Sequence, residues 1–416
     1  MNRPWAVAVL LASIAVATAR AEPVKLTVAY AFPGIMRPPL EEIAKRFMAQ
    51  NNDIVIEFAA PATDYEDLTQ RTLRAALTGD APDVILHGYH RVRIAATRGG
   101  AVPLDNLAGK DLEAQGYPRP ARALCEVDGR LYGLPFATST QIVYYNADLV
   151  RRAGADPDRL PPTWPEIIAL AKKIRALDAG VSSIFFDYKG AGNWGFLALV
   201  QSHGGRMMSD DERDIQLNGP AGMIALKLLS AFGDAGQVDM SRAQAQQAFS
   251  AGSIGIFVYT SSALTAIEKQ VGGRFDIRTS TFPISAAGGT IPAGGACAMV
   301  FANADARKKA AWEFIKFAGG PVGQTLSVTM SGYMPNNTIA VERADLLGDF
   351  YKQKPNHMTS VRQLPVMSSF WTWPGENSIK IQDVIENHLV AVATRKTSPE
   401  TAMEAMVRDV KALLPN

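Results

Sequence analysis

Apolar residues near the start of the chain recur first at alternate positions and then at helical spacing. "VKLTVAYAF" (24–32) alternates as a strand does, whereas in "PPLEEIAKRFMAQN" (38–51) Leu40, Ile43, Ala44, Phe47 and Met48 share one helical face. A second strand, "DIVIEFAA" (53–60), precedes a helix from Asp64 to about Thr78 that stops before Gly79. "PDVILHG" (82–88) reads as a third strand, and a helical stretch ends at "RGGAVPLDNL". Strand and helix alternating at such short intervals predict an α/β lobe with a largely parallel sheet.

The pattern restarts beyond residue 138, where "QIVYYNADLVRRAG" supplies a strand and a helix. "PPTWPEIIALAKKIRA" then opens a helix with a capping box: Thr163 as N-cap, Pro165 in the first turn and Glu166 three residues after the cap. "VSSIFF" is a strand, "QQAFSAGSIGIFVY" a helix running into a strand, and "AAWEFIKFAGG" a helix closed by glycines. The C-terminal "SPETAMEAMVRDVKALL" is an amphipathic helix with Ser398 as N-cap and Pro399 at its first position.

A chain of 416 residues exceeds what one hydrophobic core usually serves, so two domains are expected. Lys and Arg number 42 against 40 Asp and Glu, and this near balance gives no reason to expect nucleic acid or an anionic membrane as a partner. The N-terminus adds more. Arg3 precedes the apolar run "AVAVLLASIAVATA" (6–19), and "ARA" (19–21) supplies small residues before Glu22, which reads as a cleaved secretory signal over residues 1–21. The run is shorter than the ~20 residues that span a bilayer, and no cysteine follows it for lipid attachment. The mature protein is therefore expected to be soluble outside the cytoplasm. Its two cysteines, Cys125 and Cys297, either form a disulfide, which that compartment permits, or stay as two buried thiols; neither has neighbours at metal-ligand spacing.

Seven blocks carry a resemblance to a known family. They are "LTGDAPDVI" (77–85), "DGRLYGLPFATSTQIVYYNADLVRRAG" (128–154), "PPTWPEIIALAKKI" (161–174), "AFSAGSIGIFV" (248–258), "PAGGACAMV" (292–300), "AAWEFIKFAGG" (310–320) and "SGYMPNN" (331–337). In that order they resemble the extracellular solute-binding proteins of ATP-driven bacterial importers, in the branch for sugars and glycerol-3-phosphate. The resemblance implies a two-lobe α/β periplasmic binding fold with a ligand cleft between lobes joined by hinge crossings. It implies crossings near Ala137–Thr140, Ala286–Gly289 and Pro335–Thr338. One lobe would comprise residues 22–137 and 288–336, the other residues 138–287 and 337–416. The implied protein is a periplasmic monomer that hands a small solute to membrane permease subunits, with no cofactor and no catalytic or metal site.

The resemblance also points to ligand-binding positions. Tyr65 opens the helix after the second strand, and is alternatively a core or surface tyrosine. Thr138 and Ser139 lie in the hinge stretch, where hydroxyls offer hydrogen bonds and small residues suit rotation; otherwise they are ordinary strand residues. Ser261 and Ser262 sit at a strand mouth before a helix, as ligand contacts, as helix caps, or as both. Gly294 and Gly295 let backbone approach a ligand or simply make a turn. Tyr333, Trp194, Trp371 and Trp373 are candidate aromatic platforms, the last two being equally able to pack one face of a strand. Asn377 follows them.

Other chemistry is set aside. Gly190–Gly195 matches G-x-G-x-x-G, but three residues separate it from the strand before it and it does not open a domain, so a cleft loop is the better reading than a dinucleotide site. There is no H-E-x-x-H or G-x-S-x-G, and the five histidines are scattered apart from His87 and His90. A secreted carbohydrate-active hydrolase or lyase remains as the alternative of a different class, since its carboxylate pair would meet only in space. Between solutes, "FWTWPGENSIK" offers Lys380 and no arginine, which favours a neutral sugar or polyol over glycerol-3-phosphate or a glycerophosphodiester. Arg37, Arg91 and Arg93 are the remaining cations to watch.

Overall fold

The computed structural model describes residues 22–109, 111–177, 180–189 and 191–415. The expected signal peptide, residues 1–21, lies outside them, as does Gly190 of the glycine motif.

Thirteen strands occur among the described residues. β1 (Val24–Ala29), β2 (Ile54–Phe58) and β3 (Val84–Gly88) come first, followed by a short hairpin of β4 (Glu126–Val127) and β5 (Arg130–Leu131). β6 (Gly133–Ser139), β7 (Gln141–Asn146), β8 (Ser182–Phe186), β9 (Ile254–Thr260) and β10 (Ile277–Thr281) follow, then β11 (Ile291–Pro292), β12 (Gly294–Val300) and β13 (Met367–Ser368). One sheet has the order β2-β1-β3-β12-β6 and a second the order β10-β7-β9-β8. The first is parallel over β2-β1-β3, as the alternating pattern predicts, but β12 runs against them, pairing antiparallel with β3 on one side and with β6 on the other. These two strands arrive from distant parts of the chain, and no local pattern announces their direction.

Thr140 alone separates β6 in the first sheet from β7 in the second, so Thr138 and Ser139 belong to the first. Three hydrogen bonds, to Ser261 and Gln363, hold Thr140. Its amide faces Ser261 Oγ at 3.4 Å, its carbonyl accepts from the Ser261 amide at 2.9 Å, and its hydroxyl accepts from Gln363 Nε2. The chain returns to the first sheet between β10 and β12, and Met334 later bonds back to the Thr138 carbonyl at 2.7 Å.

The two central strands of the second sheet, β7 and β9, are buried on both faces, which explains their largely apolar runs, whereas the edge strand β10 is polar and partly exposed. Phe257 and Tyr259 join the core formed with helices Arg242–Ser250 and Leu264–Val271, while Ile256 and Val258 face the main core with Trp164, Phe186 and Phe232. The capping box predicted at Thr163 and Glu166 opens helix Trp164–Arg175, and Ser398 caps helix Pro399–Lys411. Helix Pro33–Gln50 begins five residues before the predicted Pro38. Pro33 occupies its first turn, and Pro38 and Pro39 are carried inside it. Helices Pro220–Ala235 and Ser378–Ala393, which the periodicity reading passed over, complete the second lobe against Pro399–Lys411. Cys125 and Cys297 form a disulfide with Cα atoms 5.8 Å apart.

Candidate functional site

Two tight turns bring the first lobe's contribution into place. Asp64 accepts from the Asp67 amide at 2.8 Å and starts helix Tyr65–Thr78, which directs the Tyr65 ring across Gly88. A Cβ on Gly88 would lie 2.6 Å from that ring, so glycine is required there. Phe32, the residue before helix Pro33–Gln50, has φ of +53°, a conformation L-residues seldom adopt, and its ring meets Tyr65 edge to face at 5.0 Å.

Opposite them, the second lobe presents Trp194, Tyr259, Ser262 and Arg242. Trp194 donates to the Pro292 carbonyl at 2.9 Å and lies over Gly294, where a Cβ would fall 2.7 Å from the indole. Thr260 bonds Ser262 Oγ at 2.7 Å and its amide at 3.3 Å, turning the end of β9 into the helix beyond. Gly295 has φ of +124°, and a Cβ on it would sit 1.9 Å from the Ala137 carbonyl oxygen. Together with Tyr333, Ser139, His90 and Phe370 these groups enclose a cavity of about 60 Å³ between the lobes.

Arg242 is the charged group of this cavity. It occupies the first turn of helix Arg242–Ser250, behind the Ser241–Gln244 capping box. Its Nε is 3.0 Å from Asp187 Oδ2, and its guanidinium carbon is 5.2 Å from the Tyr259 ring centre and 5.8 Å from that of Phe32. The two aromatic faces and the carboxylate fix the position of the fork at the cavity wall. Burial works against the Arg242 charge, but Asp187, Tyr259 and Glu66 outweigh it and hold the group above its ordinary pKa. Burial also pushes Asp187 up to about 6, against the pull of Arg242. Among the described residues, no Asp or Glu lines the cavity itself.

The Asp187 shift carries a signed prediction. A carboxyl whose native pKa lies above its unfolded value binds its proton more tightly when folded, so stability falls as pH rises from about 4 through 6 and then levels. The stability lost across that window is about 3 kcal/mol. Asp187→Asn is expected to flatten that window in urea unfolding at pH 4, 5, 6 and 7; a slope equal to the parent's assigns the dependence elsewhere.

Behind the cavity, Glu66 accepts from Arg91 at 2.8 Å and bonds His90 Nε2 at 3.0 Å. Burial would raise the Glu66 pKa, but His90 and Arg91 together hold it far below the ordinary carboxylate range. Burial lowers that of His90, which Glu66 only partly offsets.

The cavity therefore gathers seven of the residues singled out from sequence: Tyr65, Ser139, Trp194, Ser262, Gly294, Gly295 and Tyr333. Five lie outside its lining. Thr138 turns behind the sheet to Tyr89 and Asn336, and the Ser261 side chain serves the Thr140 amide. Trp371 and Trp373 pack edge to face on each other at 4.8 Å in an irregular segment, not in a strand. Trp373 faces a separate, outer cavity of about 180 Å³, and Asn377 Nδ2 donates to the Leu413 carbonyl at 2.9 Å. Arg37, Arg91 and Arg93 do not reach the lining; each is paired elsewhere, with Glu41, Glu66 and Glu212 respectively.

Sequence reading missed the other lining residues: Arg242, Phe32, Ile35, His90, Tyr259, Thr260 and Phe370. For Arg242 a signal existed: a cation in the first turn of a capped helix opposes the helix dipole, so it must find compensation outside its own helix.

A family model described as "Bacterial extracellular solute-binding protein" matches residues 42–359. The chain belongs to this family. It is the solute-binding component of an ABC importer, and its place is outside the cytoplasmic membrane, in the periplasm. Among curated relatives, it is 25% identical over 407 residues, 91% of each chain, to the sn-glycerol-3-phosphate-binding periplasmic protein UgpB of Rhizobium meliloti. Among solved structures, UgpB of Mycobacterium tuberculosis in complex with glycerophosphocholine superposes with a TM-score of 0.82 at 22% identity, covering 95% of this chain and 98% of that one. Maltose-bound MalE3 of T. maritima superposes at 0.79 and 20% identity, covering 94% of this chain and 100% of its own. The solute-binding protein thus has the two-lobe fold of its family. No helix among the described residues is long and apolar enough to cross a membrane.

Proposed function

We propose that the solute is a compact phosphate ester of glycerol, captured between the lobes as a monoester or diester, released unchanged to membrane permease subunits, and bound by a monomer exported with a cleaved signal. The observation that carries this reading is the sign of the cavity: Arg242 enters it, hydroxyls of Ser139, Thr260 and Ser262 surround it, and no carboxylate lines it among the described residues. An enclosure with a cation, hydroxyls able to donate and no lining carboxylate suits an anion, and the guanidinium fork suits phosphate oxygens in particular. A volume of about 60 Å³ is on the scale of a few water molecules and favours a small group over a disaccharide. The UgpB relatives, whose names specify glycerol-3-phosphate, lend further support.

A neutral sugar or polyol is the second reading. The rings of Phe32, Tyr65, Trp194, Tyr259, Tyr333 and Phe370 favour it by offering platforms for C–H faces. Calorimetric titration of the mature chain with sn-glycerol 3-phosphate, glycerophosphocholine, maltose and mannitol separates the two. One-to-one binding of a glycerol phosphate, with the solute recovered intact, is expected. Binding of maltose or mannitol alone reverses the choice, and turnover of any of them overturns the binding role.

A further inference from the structure

A solute cannot enter the cavity in the arrangement described, because Tyr65, Trp194, Tyr259 and Tyr333 are each no more than 6% exposed. The lobes must part and close again, so contacts made only when they are together add to the apparent affinity without touching the solute. Such contacts concentrate on one short segment, Arg91 to Arg98, at the edge of the first lobe.

Each of its three arginines reaches a different element of the second lobe. Arg93 Nη1 donates to Glu212 Oε1 at 2.6 Å, in the loop before helix Pro220–Ala235. Arg98 lies 3.7 Å from Glu376, just before helix Ser378–Ala393. Arg91, fully buried, divides one nitrogen between Glu66 of its own lobe and Gln382 of the facing helix. Gln382 is also gripped from the other side, where Asn193 Nδ2 donates to its carbonyl at 3.0 Å. Glu212 has φ of +56°, a conformation uncommon for a glutamate, in a loop tied by Ser209 and Asp211.

We infer that Arg91, Arg93 and Arg98 form a latch between the lobes: they are positioning residues that set solute affinity by stabilising the closed arrangement, with Gln382, Glu212 and Glu376 as their partners. The inference rests on the importer role and on no particular solute. Exposed ion pairs shift equilibria modestly, so the Arg93 and Arg98 pairs are each expected to favour closure about two- to fivefold. The buried, charge-assisted bond to Gln382 is expected to contribute about tenfold or more.

The test needs no solute. In the full mature chain carrying Arg98→Cys and Glu376→Cys, the rate of cross-linking by a short bis-maleimide reports how often the lobes meet; the native disulfide is buried and does not compete. Adding Arg93→Gln or Glu212→Gln is expected to slow cross-linking two- to fivefold, and Gln382→Met about tenfold. Gln382→Met leaves the Arg91–Glu66 pair in place and so avoids stranding a buried charge. The exchanged pair, Arg93→Glu with Glu212→Arg, is expected to restore the rate. Cysteines at positions 93 and 212 read Arg98→Gln in the same way. Rates that none of these changes moves, an exchange that fails to restore, or absence of cross-linking in the parent pair overturns the latch. Loss of glycerol phosphate binding with the latch intact would instead count against the solute assignment alone.

Discussion

Replacing Arg242 with Met is expected to raise the dissociation constant for glycerol 3-phosphate at least a hundredfold while leaving the protein folded. The guanidinium is held by Asp187 and by the faces of Tyr259 and Phe32, so little is spent in ordering it when the solute arrives. Charge-assisted hydrogen bonds to phosphate contribute about 1.5–3 kcal/mol each, and two of them account for two or more factors of ten. Met keeps much of the stem's packing but strands Asp187, whose buried carboxyl then takes up a proton or repels the anion. Arg242→Lys retains the charge and loses the fork, so it is expected to fall between the two, about tenfold weaker than the parent. The double variant Arg242→Met, Asp187→Asn separates stranding from lost recognition. If it recovers folding stability but not glycerol phosphate binding, the guanidinium itself recognises the anion. Calorimetry on all three variants checks the order. A neutral sugar bound equally well by parent and Arg242→Met would mean that the aromatic platforms, not the cation, define the solute.

That arginine also shows where reading the chain in one dimension stops. Local rules placed strands within 24–32, 53–60 and 82–88, where β1, β2 and β3 lie, and caps at Thr163 and Ser398, because strand alternation and capping are set by residues close in sequence. Resemblance added the lobe architecture and seven cavity residues. The direction of β12 and β6 depends instead on a pairing across more than 150 residues, as in Ser139 opposite Gly294. Trp371 and Trp373 looked like platforms because tryptophans are suited to sugars, yet they pack on each other and on the main core, outside the cavity lining. Arg91 and Arg93 looked like cleft cations and are committed to Glu66, Gln382 and Glu212. Arg242, in an otherwise plain run of Ser, Ala and Gln, owes its place at the cavity to Asp187, 55 positions earlier. Which cation faces the cavity is decided by burial and partners, and neither is written in local spacing.

The disulfide is the second large effect. Cys125 lies just before β4 and Cys297 in the middle of β12, so the bond closes a loop with a sequence separation of 172 that contains every strand of the second sheet. It ties the point from which the chain leaves for the second lobe to the strand that brings it back. In the chain-entropy model a loop of this length lowers the unfolded chain's entropy by an amount worth about 5 kcal/mol, and measured losses for native disulfides run at about 2–5 kcal/mol. Cys125→Ala with Cys297→Ala is therefore expected to cost about 3–5 kcal/mol in urea unfolding and to steepen the denaturant dependence, because the uncrosslinked chain exposes more surface. Both sulfurs are fully buried, so small cavities left by the alanines add to the loss. The thermal midpoint should drop by an amount that reductant reproduces in the parent under denaturing conditions and does not deepen in the variant. Solute affinity should change little below the transition, since neither cysteine lines the cavity. A loss under about 1 kcal/mol would mean that the unfolded chain stays compact across this loop even without the bond, so that the cross-link removes little freedom.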